Sequence, residues 1–238
     1  MPHGIELHSS TTDLDSTIDL DSTTDLDLAD RGQSAVGDPV KRWFDLTLAT
    51  AALLLLLPLL CLIALAIKLA DCGPVLYHHR RIGKDGVPFD CLKFRTMVVD
   101  ADRLLMGHLA ANRAAAREWE EKWKLTADPR VTVLGRVFRK SSLDELPQLF
   151  NILKGEMSIV GPRPIVAEEM PKYGNCLAHY LRARPGLTGL WQISGRNDLD
   201  YSNRVQLDRH YVECWSFWRD LGIILGTVRV LLTTRGCY

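Results

Sequence analysis

The sequence lacks the patterns that mark a metal centre, a disulfide framework or a common nucleotide-binding loop. Its six cysteines contain no CxxC pair and none of its seven histidines are four residues apart, so neither a structural zinc site nor disulfides are expected. Neither GxGxxG nor GxxxxGK[ST] occurs, which argues against a Rossmann turn or a P-loop. Aromatic residues make up only 8% of the chain and do not alternate with the basic ones, so nucleic acid is not an expected partner.

The charge of the chain is balanced overall but unevenly distributed. Of 29 basic and 29 acidic residues, positions 1–40 hold nine acids and one base, Arg31, which leaves 28 basic and 20 acidic residues in 41–238. A body with that surplus of positive charge is expected to meet anionic partners such as phosphates or a lipid surface. With 238 residues, 47% of them hydrophobic, the chain can build a sizeable core.

Residues 1–40 are predicted to form a disordered acidic tail. Within them, residues 11–28 repeat a six-residue pattern, TTDLDS, TIDLDS, TTDLDL, with isolated Leu and Ile side chains among acids and hydroxyl groups. That composition offers too little apolar surface to offset the entropy of ordering. A docking segment for a basic partner is the alternative interpretation, and the segment has no signal-peptide pattern.

The longest uncharged run is LTLATAALLLLLPLLCLIALAI at positions 46–67. Its 22 residues match the roughly 20 that cross the hydrocarbon core as a helix, so we predict a membrane helix over 41–72. A buried helix of a soluble protein is the alternative, but apolarity on every face argues against it. Basic residues flank both ends and Pro58 would kink the helix, which together favour a re-entrant helix over a spanning one.

The rest of the chain is predicted to be α+β and mostly helical. A hairpin is expected after Gly73, with its turn at KDG, and an amphipathic helix over 98–124 carries Trp119 and Trp123 on one face. Further helices are expected around 131–140, from Ser142 to Lys154, where Gly155 would end the helix, and near 217–232.

The motif SLDELP at 142–147 contains two adjacent carboxylates, Asp144 and Glu145. Its structural interpretation is a capping box, because Ser142 and Glu145 have the required spacing. Its catalytic interpretation depends on bases that lie nearby in turns or at the ends of elements, namely Lys93, Arg95, Arg139, Lys140, Arg163 and Arg196. Such bases form a phosphate cradle, in which a carboxylate can attack phosphorus or hold a magnesium ion.

Five segments resemble the bacterial sugar transferases, which are monotopic phosphoglycosyl transferases that act on polyprenyl phosphates. They are KRWFD at 41–45, the apolar run with its central proline, GPVLYHHRRIGKDGVPFDCLKFRTM at 73–97, DPRVTVLGRVFRKSSLDELPQLFNILKGEMSIVGPRP at 128–164 and RPGLTGLWQISGRND at 184–198. The last segment is most similar to family members that begin succinoglycan-type exopolysaccharides with galactose phosphate. The resemblance covers about residues 41–238.

This resemblance implies a two-step reaction in which a UDP-sugar gives its sugar-1-phosphate to undecaprenyl phosphate and UMP is released. Asp144 would be the nucleophile that forms a covalent phosphosugar intermediate, Glu145 would support it, and magnesium or manganese would bind Asp144 together with Asp220. The cradle and the resemblance together give the phosphate-binding residues as Lys93, Arg95, Arg139, Arg163 and Arg196.

The resemblance also implies a location and an architecture. The catalytic domain, 73–238, would lie on the cytoplasmic face of the bacterial inner membrane in contact with lipid, and a homodimer is left open. The family breaks its re-entrant helix at a Ser-Pro pair, whereas this chain has Leu57 before Pro58, so the re-entrant expectation rests on Pro58 alone. The alternatives are a metal-dependent glycosyltransferase that releases UDP and a non-catalytic scaffold for polysaccharide assembly.

Overall fold

The apolar run and its flanks form a single helix, α1 (Pro39–Asp71), in a computed structural model of the chain. The structure describes residues 39–122, 125–195 and 199–233. The helix therefore begins two residues before the predicted segment 41–72 and ends one residue earlier. The tail prediction for 1–40 lies outside the described residues except for its last two positions, and so do Trp123 and Arg196.

One side of α1 packs against the rest of the protein. Its buried residues are Lys41, Asp45, Ala49, Leu53, Leu60, Ile63 and Ile67. Other faces stay exposed and apolar, with Leu54 70% and Leu55 80% accessible. Mean hydropathy reaches 2.8 in the most apolar window, of which 22% is buried, so α1 is long and apolar enough to enter or cross a membrane.

The predicted hairpin is confirmed. Strand β1 (Leu76–Ile82) pairs antiparallel with β2 (Pro88–Phe94) around a turn at Lys84–Gly86. Asp85 and Gly86 have φ values of 57° and 76°, a left-handed conformation that aspartate tolerates and glycine adopts at no steric cost.

The remaining elements are mostly short helices, so the fold is α+β and mostly helical as predicted. In chain order they are α2 (Ala101–Ala111), α3 (Arg113–Lys122), α4 (Val133–Ser141), α5 (Gln148–Lys154), β3 (Ser158–Val160), α6 (Met170–Tyr173), α7 (Leu177–Arg182), β4 (Gly186–Thr188), α8 (Leu190–Ser194), α9 (Tyr201–Glu213) and α10 (Phe217–Thr233). The helices predicted around 131–140 and near 217–232 are confirmed as α4 and α10.

The single helix predicted over 98–124 is wrong, because the chain breaks at Asn112 into α2 and α3. Asn112 has an extended backbone, and its side-chain Oδ1 accepts hydrogen bonds from the N–H groups of Ala114 (3.0 Å) and Ala115 (3.2 Å). Asparagine is among the preferred residues for capping a helix N-terminus, so it begins a second helix here.

Two short strands, β3 and β4, have no counterpart in the sequence-based prediction. They pair in parallel and lie in the buried part of the protein. Asp45 of α1 accepts hydrogen bonds from the Ser158 hydroxyl (2.7 Å) and the Ile159 N–H (3.0 Å). The first turns of α1 are thereby bound to β3.

A buried ion pair strengthens the same junction. Lys41 Nζ lies 2.6 Å from Asp220 Oδ2 and donates a second hydrogen bond to the Val160 carbonyl at 3.0 Å. Asp220 also accepts from the Tyr211 hydroxyl (2.7 Å) and the Trp215 indole N–H (3.0 Å). The pair therefore joins α1, β3 and α10 through a network whose charges are both compensated.

Candidate active site

The two adjacent carboxylates lie in a 3₁₀ turn, Leu143–Glu145, between α4 and α5. The helix predicted from Ser142 to Lys154 is wrong in its first part, because Ser142 is left-handed with a φ of 57° and α5 begins only after Pro147. Proline lacks the N–H that a continuous helix would need at that position. Gly155, with a φ of 88°, ends α5 as predicted.

The capping box predicted for Ser142 and Glu145 does not form. The Ser142 side chain makes no capping hydrogen bond, and Glu145 Oε1 instead accepts one from Lys93 Nζ at 2.7 Å. A charge-assisted hydrogen bond to lysine is stronger than one to a neutral backbone N–H, so Glu145 turns toward β2.

Asp144 is buried, with 8% of its surface exposed. Burial raises its pKa to about 6, and the neighbouring Glu145 carboxylate acts in the same direction. The positive charges of Lys93 and Arg139 oppose that rise, because each of them stabilises the ionised form of the Asp144 carboxyl group. A carboxylate with little water around it and cations nearby is suited to attack an anionic centre.

The two cations are held by different elements. Lys93 is on β2; its burial lowers its pKa, but the pair with Glu145 outweighs this and the net shift is upward. Arg139 is on α4 and donates from Nε to Thr96 Oγ1 at 2.9 Å. Gly135 permits this arrangement, because a Cβ there would lie 2.0 Å from the Thr96 carbonyl oxygen.

A second group of cations consists of Arg163, in the GPRP segment after β3, and Arg204, on α9. The Arg163 guanidinium lies 5.2 Å from the centroid of the Trp191 ring and hydrogen-bonds to no residue in the described ranges. Arg204 lies over the same ring at 5.5 Å. The Arg163 backbone N–H donates to Asp208, which also accepts from the Tyr173 hydroxyl at 2.8 Å. Arg163 is thus fixed through its backbone while its charged end stays available.

Two residues predicted for the site have structural partners. Arg95 forms an ion pair with Asp71 at the end of α1, and only 9% of its side chain is exposed. Asp220 is 1% exposed, and its carboxylate accepts hydrogen bonds from Lys41, Tyr211 and Trp215. A metal prediction for Asp220 does not fit this environment, because an ion would have to displace the buried lysine.

Three residues that the sequence analysis missed organise the site. Asn151 is fully buried and binds the edge of β2, donating to the Asp90 carbonyl (2.7 Å) and accepting from the Leu92 N–H (3.0 Å), which holds Lys93 in register. The other two are His79 and Arg81 on β1. Strand alternation could have revealed them, since every second residue of a hairpin shares a face.

Magnesium fits this site only together with a substrate. Within residues 39–122, 125–195 and 199–233 no cluster of three or more His, Cys, Asp or Glu side chains could hold an ion. Asp144 offers one carboxylate, and magnesium is commonly bound by one or two carboxylates plus substrate phosphate oxygens. The residues present therefore fit an ion that is shared with a phosphorylated substrate.

A buried carboxylate among cations, on a domain packed against a helix that is apolar enough to enter a membrane, is the arrangement expected of an enzyme that acts on phosphates near a lipid surface. The family model for bacterial sugar transferases matches residues 36–234. The chain belongs to the bacterial sugar transferase family.

Three relatives illustrate the range of this similarity. The exopolysaccharide production protein ExoY of Sinorhizobium fredii is 53% identical over 203 residues, which is 85% of this chain and 90% of the relative. The undecaprenyl-phosphate galactose phosphotransferase of Salmonella typhimurium is 47% identical, over 84% of this chain and 42% of the relative. The UDP-glucose:undecaprenyl-phosphate glucose-1-phosphate transferase of Escherichia coli is 40% identical over the same shares.

Proposed function

We propose that this protein transfers a sugar-1-phosphate, galactose-1-phosphate first among the candidates, from a UDP-sugar to undecaprenyl phosphate and releases UMP. The observation that carries the proposal is the buried Asp144 carboxyl group, on which the positive charges of Lys93 and Arg139 both act. The names of the relatives support the lipid acceptor and the sugar donor, and the similarity to ExoY supports a role in exopolysaccharide production.

In the first step, an Asp144 carboxylate oxygen attacks the β-phosphorus of the UDP-sugar. The bond from that phosphorus to the bridging oxygen breaks, and UMP leaves with the electron pair. Lys93 and Arg139 lie where they can neutralise charge on the phosphoryl oxygens, and Glu145 orients Lys93. Bound magnesium would supply further neutralisation of the diphosphate charge.

In the second step, a phosphate oxygen of undecaprenyl phosphate attacks the same phosphorus. The acyl phosphate bond to Asp144 breaks and the carboxylate is regenerated. Because Asp144 attacks in the first step and leaves in the second, a water-soluble nucleotide sugar and a membrane lipid can react at the same carboxylate in turn, so neither has to meet the other.

The contacts of α1 support a re-entrant arrangement. Near its start, Lys41 and Asp45 bind β3 and α10; at its end, Asp71 pairs with Arg95 directly after β2. A spanning helix would place its ends on opposite sides of about 30 Å of hydrocarbon, where one domain could not bind both. Pro58 is exposed midway along the helix. We therefore propose that the catalytic domain lies at the cytoplasmic face of the inner membrane and that the tail is on the same side.

This topology predicts the labelling of single cysteines placed at Ser34 and at Glu168 in a cysteine-free background. In intact cells a membrane-impermeant thiol reagent should label neither position, because both face the cytoplasm. After permeabilisation it should label both, which serves as the control for reactivity. Labelling of position 34 alone in intact cells would show that α1 spans the membrane.

Replacement of Arg163 by lysine should reduce turnover about 10-fold or more. Lysine keeps the charge but loses the planar fork that can grip a phosphate and lie over Trp191. Arg209→Lys is the matched control, since Arg209 is exposed and pairs with Glu213 at the surface. Equal turnover in the two variants would contradict a phosphate-binding role, and a lowered melting temperature with unchanged donor binding would indicate a structural one.

An assay with purified protein, undecaprenyl phosphate and a panel of UDP-sugars tests the whole proposal. We expect UMP release over many turnovers to depend on the lipid, with the highest kcat/KM for UDP-galactose. Release of UDP would indicate the glycosyltransferase alternative. Absence of any nucleotide release with every donor would favour the scaffold alternative.

A further inference from the structure

One face of the hairpin connects the two groups of cations. In the β1–β2 register, Tyr77 lies opposite Lys93 and His79 opposite Cys91, so the side chains of 77, 79 and 81 share the face that carries Lys93. Lys93 binds Glu145 at one end of this face. Arg81 donates to the Pro164 carbonyl (3.1 Å) at the other end, next to Arg163. His79 lies between them.

The hydrogen bonding of His79 fixes its tautomer. Its Nδ1 atom lies 3.2 Å from Arg81 Nη2. A guanidinium can only donate, so Nδ1 must accept and the imidazole proton must be on Nε2. Within the described ranges, Nε2 makes no hydrogen bond. The Nε2–H group is therefore a donor without an acceptor among the residues that the structure describes.

The charges around His79 favour an anion. Arg81, Lys93 and Arg163 all act on the imidazole, while Glu169, 3.7 Å from Arg81, is the acid that opposes them. Burial, then Arg81 and Lys93, lower the pKa of His79 to about 4, so the ring is neutral at physiological pH. A neutral donor surrounded by more cations than acids suits a phosphate oxygen, which can accept from all of them.

We propose that His79 donates its Nε2–H to a phosphate oxygen of a substrate and that Arg81 acts as the positioning residue that sets this tautomer. The proposal rests on the proposed function, because phosphates of both the donor and the lipid would enter this site. The His79 Nε2–H group would be a neutral hydrogen-bond donor on the hairpin face between Lys93 at one end and Arg163 at the other. The proposed contact also explains why Arg81, only 13% exposed, bridges His79, Pro164 and Glu169.

Substitutions that separate the two imidazole nitrogens test the donor role. Glutamine can place an amide N–H near the position of Nε2, whereas asparagine reaches only the position of Nδ1. We expect His79→Asn and His79→Leu to raise one KM about 10-fold or more, and His79→Gln to stay within a few-fold of wild type. His78→Leu is the matched control, because His78 is on the opposite hairpin face with 58% of its side chain exposed.

The KM that changes identifies the phosphate. A rise for the UDP-sugar, accompanied by weaker UMP binding, assigns the contact to the nucleotide; a rise for undecaprenyl phosphate assigns it to the lipid. If His79→Asn and His79→Gln both have wild-type KM values for the UDP-sugar and for undecaprenyl phosphate, His79 does not donate to a substrate phosphate.

A spectroscopic measurement separates this proposal from the proposed function. In enzyme labelled with ¹⁵N-histidine, the His79 signals should show a neutral ring protonated at Nε2, and the Nε2–H signal should move when UMP or undecaprenyl phosphate is added. The His78 signals should not move. If neither compound shifts the His79 signal, the phosphate contact is refuted, whether or not the enzyme turns over. A shift in a protein that releases no UMP would instead overturn the proposed function alone.

Discussion

Replacement of Asp144 by asparagine should abolish transfer and leave the fold intact. The amide has the shape of the carboxyl group but cannot attack phosphorus, so we expect UMP release to fall by at least about 1,000-fold. Because Asp144 is buried and its pKa is raised to about 6, loss of its charge should not lower the melting temperature. UMP release and incorporation of radiolabelled sugar into extracted lipid measure the effect.

The control for this variant is Asp90→Asn. Asp90 undergoes the same chemical change on β2, but half of its side chain is exposed and it pairs with His78 and Arg80 at the surface. Its turnover should match wild type. If Asp144→Asn keeps more than about a tenth of wild-type activity, Asp144 is not the nucleophile.

Replacement of Lys41 by methionine should reduce the free energy of unfolding by about 3 kcal/mol or more. Methionine fills similar space but leaves the buried Asp220 carboxylate without its counter-charge; Tyr211 and Trp215 remain as its donors among the described residues. Denaturant unfolding of the purified protein in detergent measures the change. The junction between α1 and the catalytic domain should open first.

The surface variant Lys154→Met is the control, because Lys154 is exposed at the end of α5 and surface substitutions typically change stability by less than about 0.5 kcal/mol. The double variant Lys41→Met/Asp220→Asn should recover part of the loss, since it removes the uncompensated charge. Equal stability of Lys41→Met and Lys154→Met would mean that the ion pair does not secure α1.

Elements with local sequence patterns could be predicted. The 22-residue apolar run specifies α1, and Asp85 with Gly86 specifies the hairpin turn, because both depend on neighbouring residues alone. The strand Ser158–Val160 could not be found this way. It has three residues, and its stabilising partners include Asp45, which is more than 100 residues away in sequence.

The site shows the same division. The Asp144–Glu145 pair and the bases around it are visible as a motif, and the structure brings Lys93 and Arg139 to Asp144. Whether a charged side chain is available to bind a ligand or is engaged in a structural ion pair depends on the residue that it contacts in the folded protein. Arg95 and Asp220 are bound to Asp71 and Lys41, and neither pairing leaves a local pattern. Glu145 likewise accepts a hydrogen bond from Lys93, 52 residues away in sequence, instead of capping the helix as its local spacing predicts.

The fate of the β-phosphorus tests the central claim most directly. Enzyme incubated with UDP-galactose carrying ³²P in the β-phosphate, without lipid, should retain the label on the peptide that contains Asp144, and addition of undecaprenyl phosphate should move that label into the lipid fraction. Unlabelled UMP should be the released nucleotide. Label that remains in free UDP, with none on the protein or in the lipid, would contradict phosphoglycosyl transfer through Asp144.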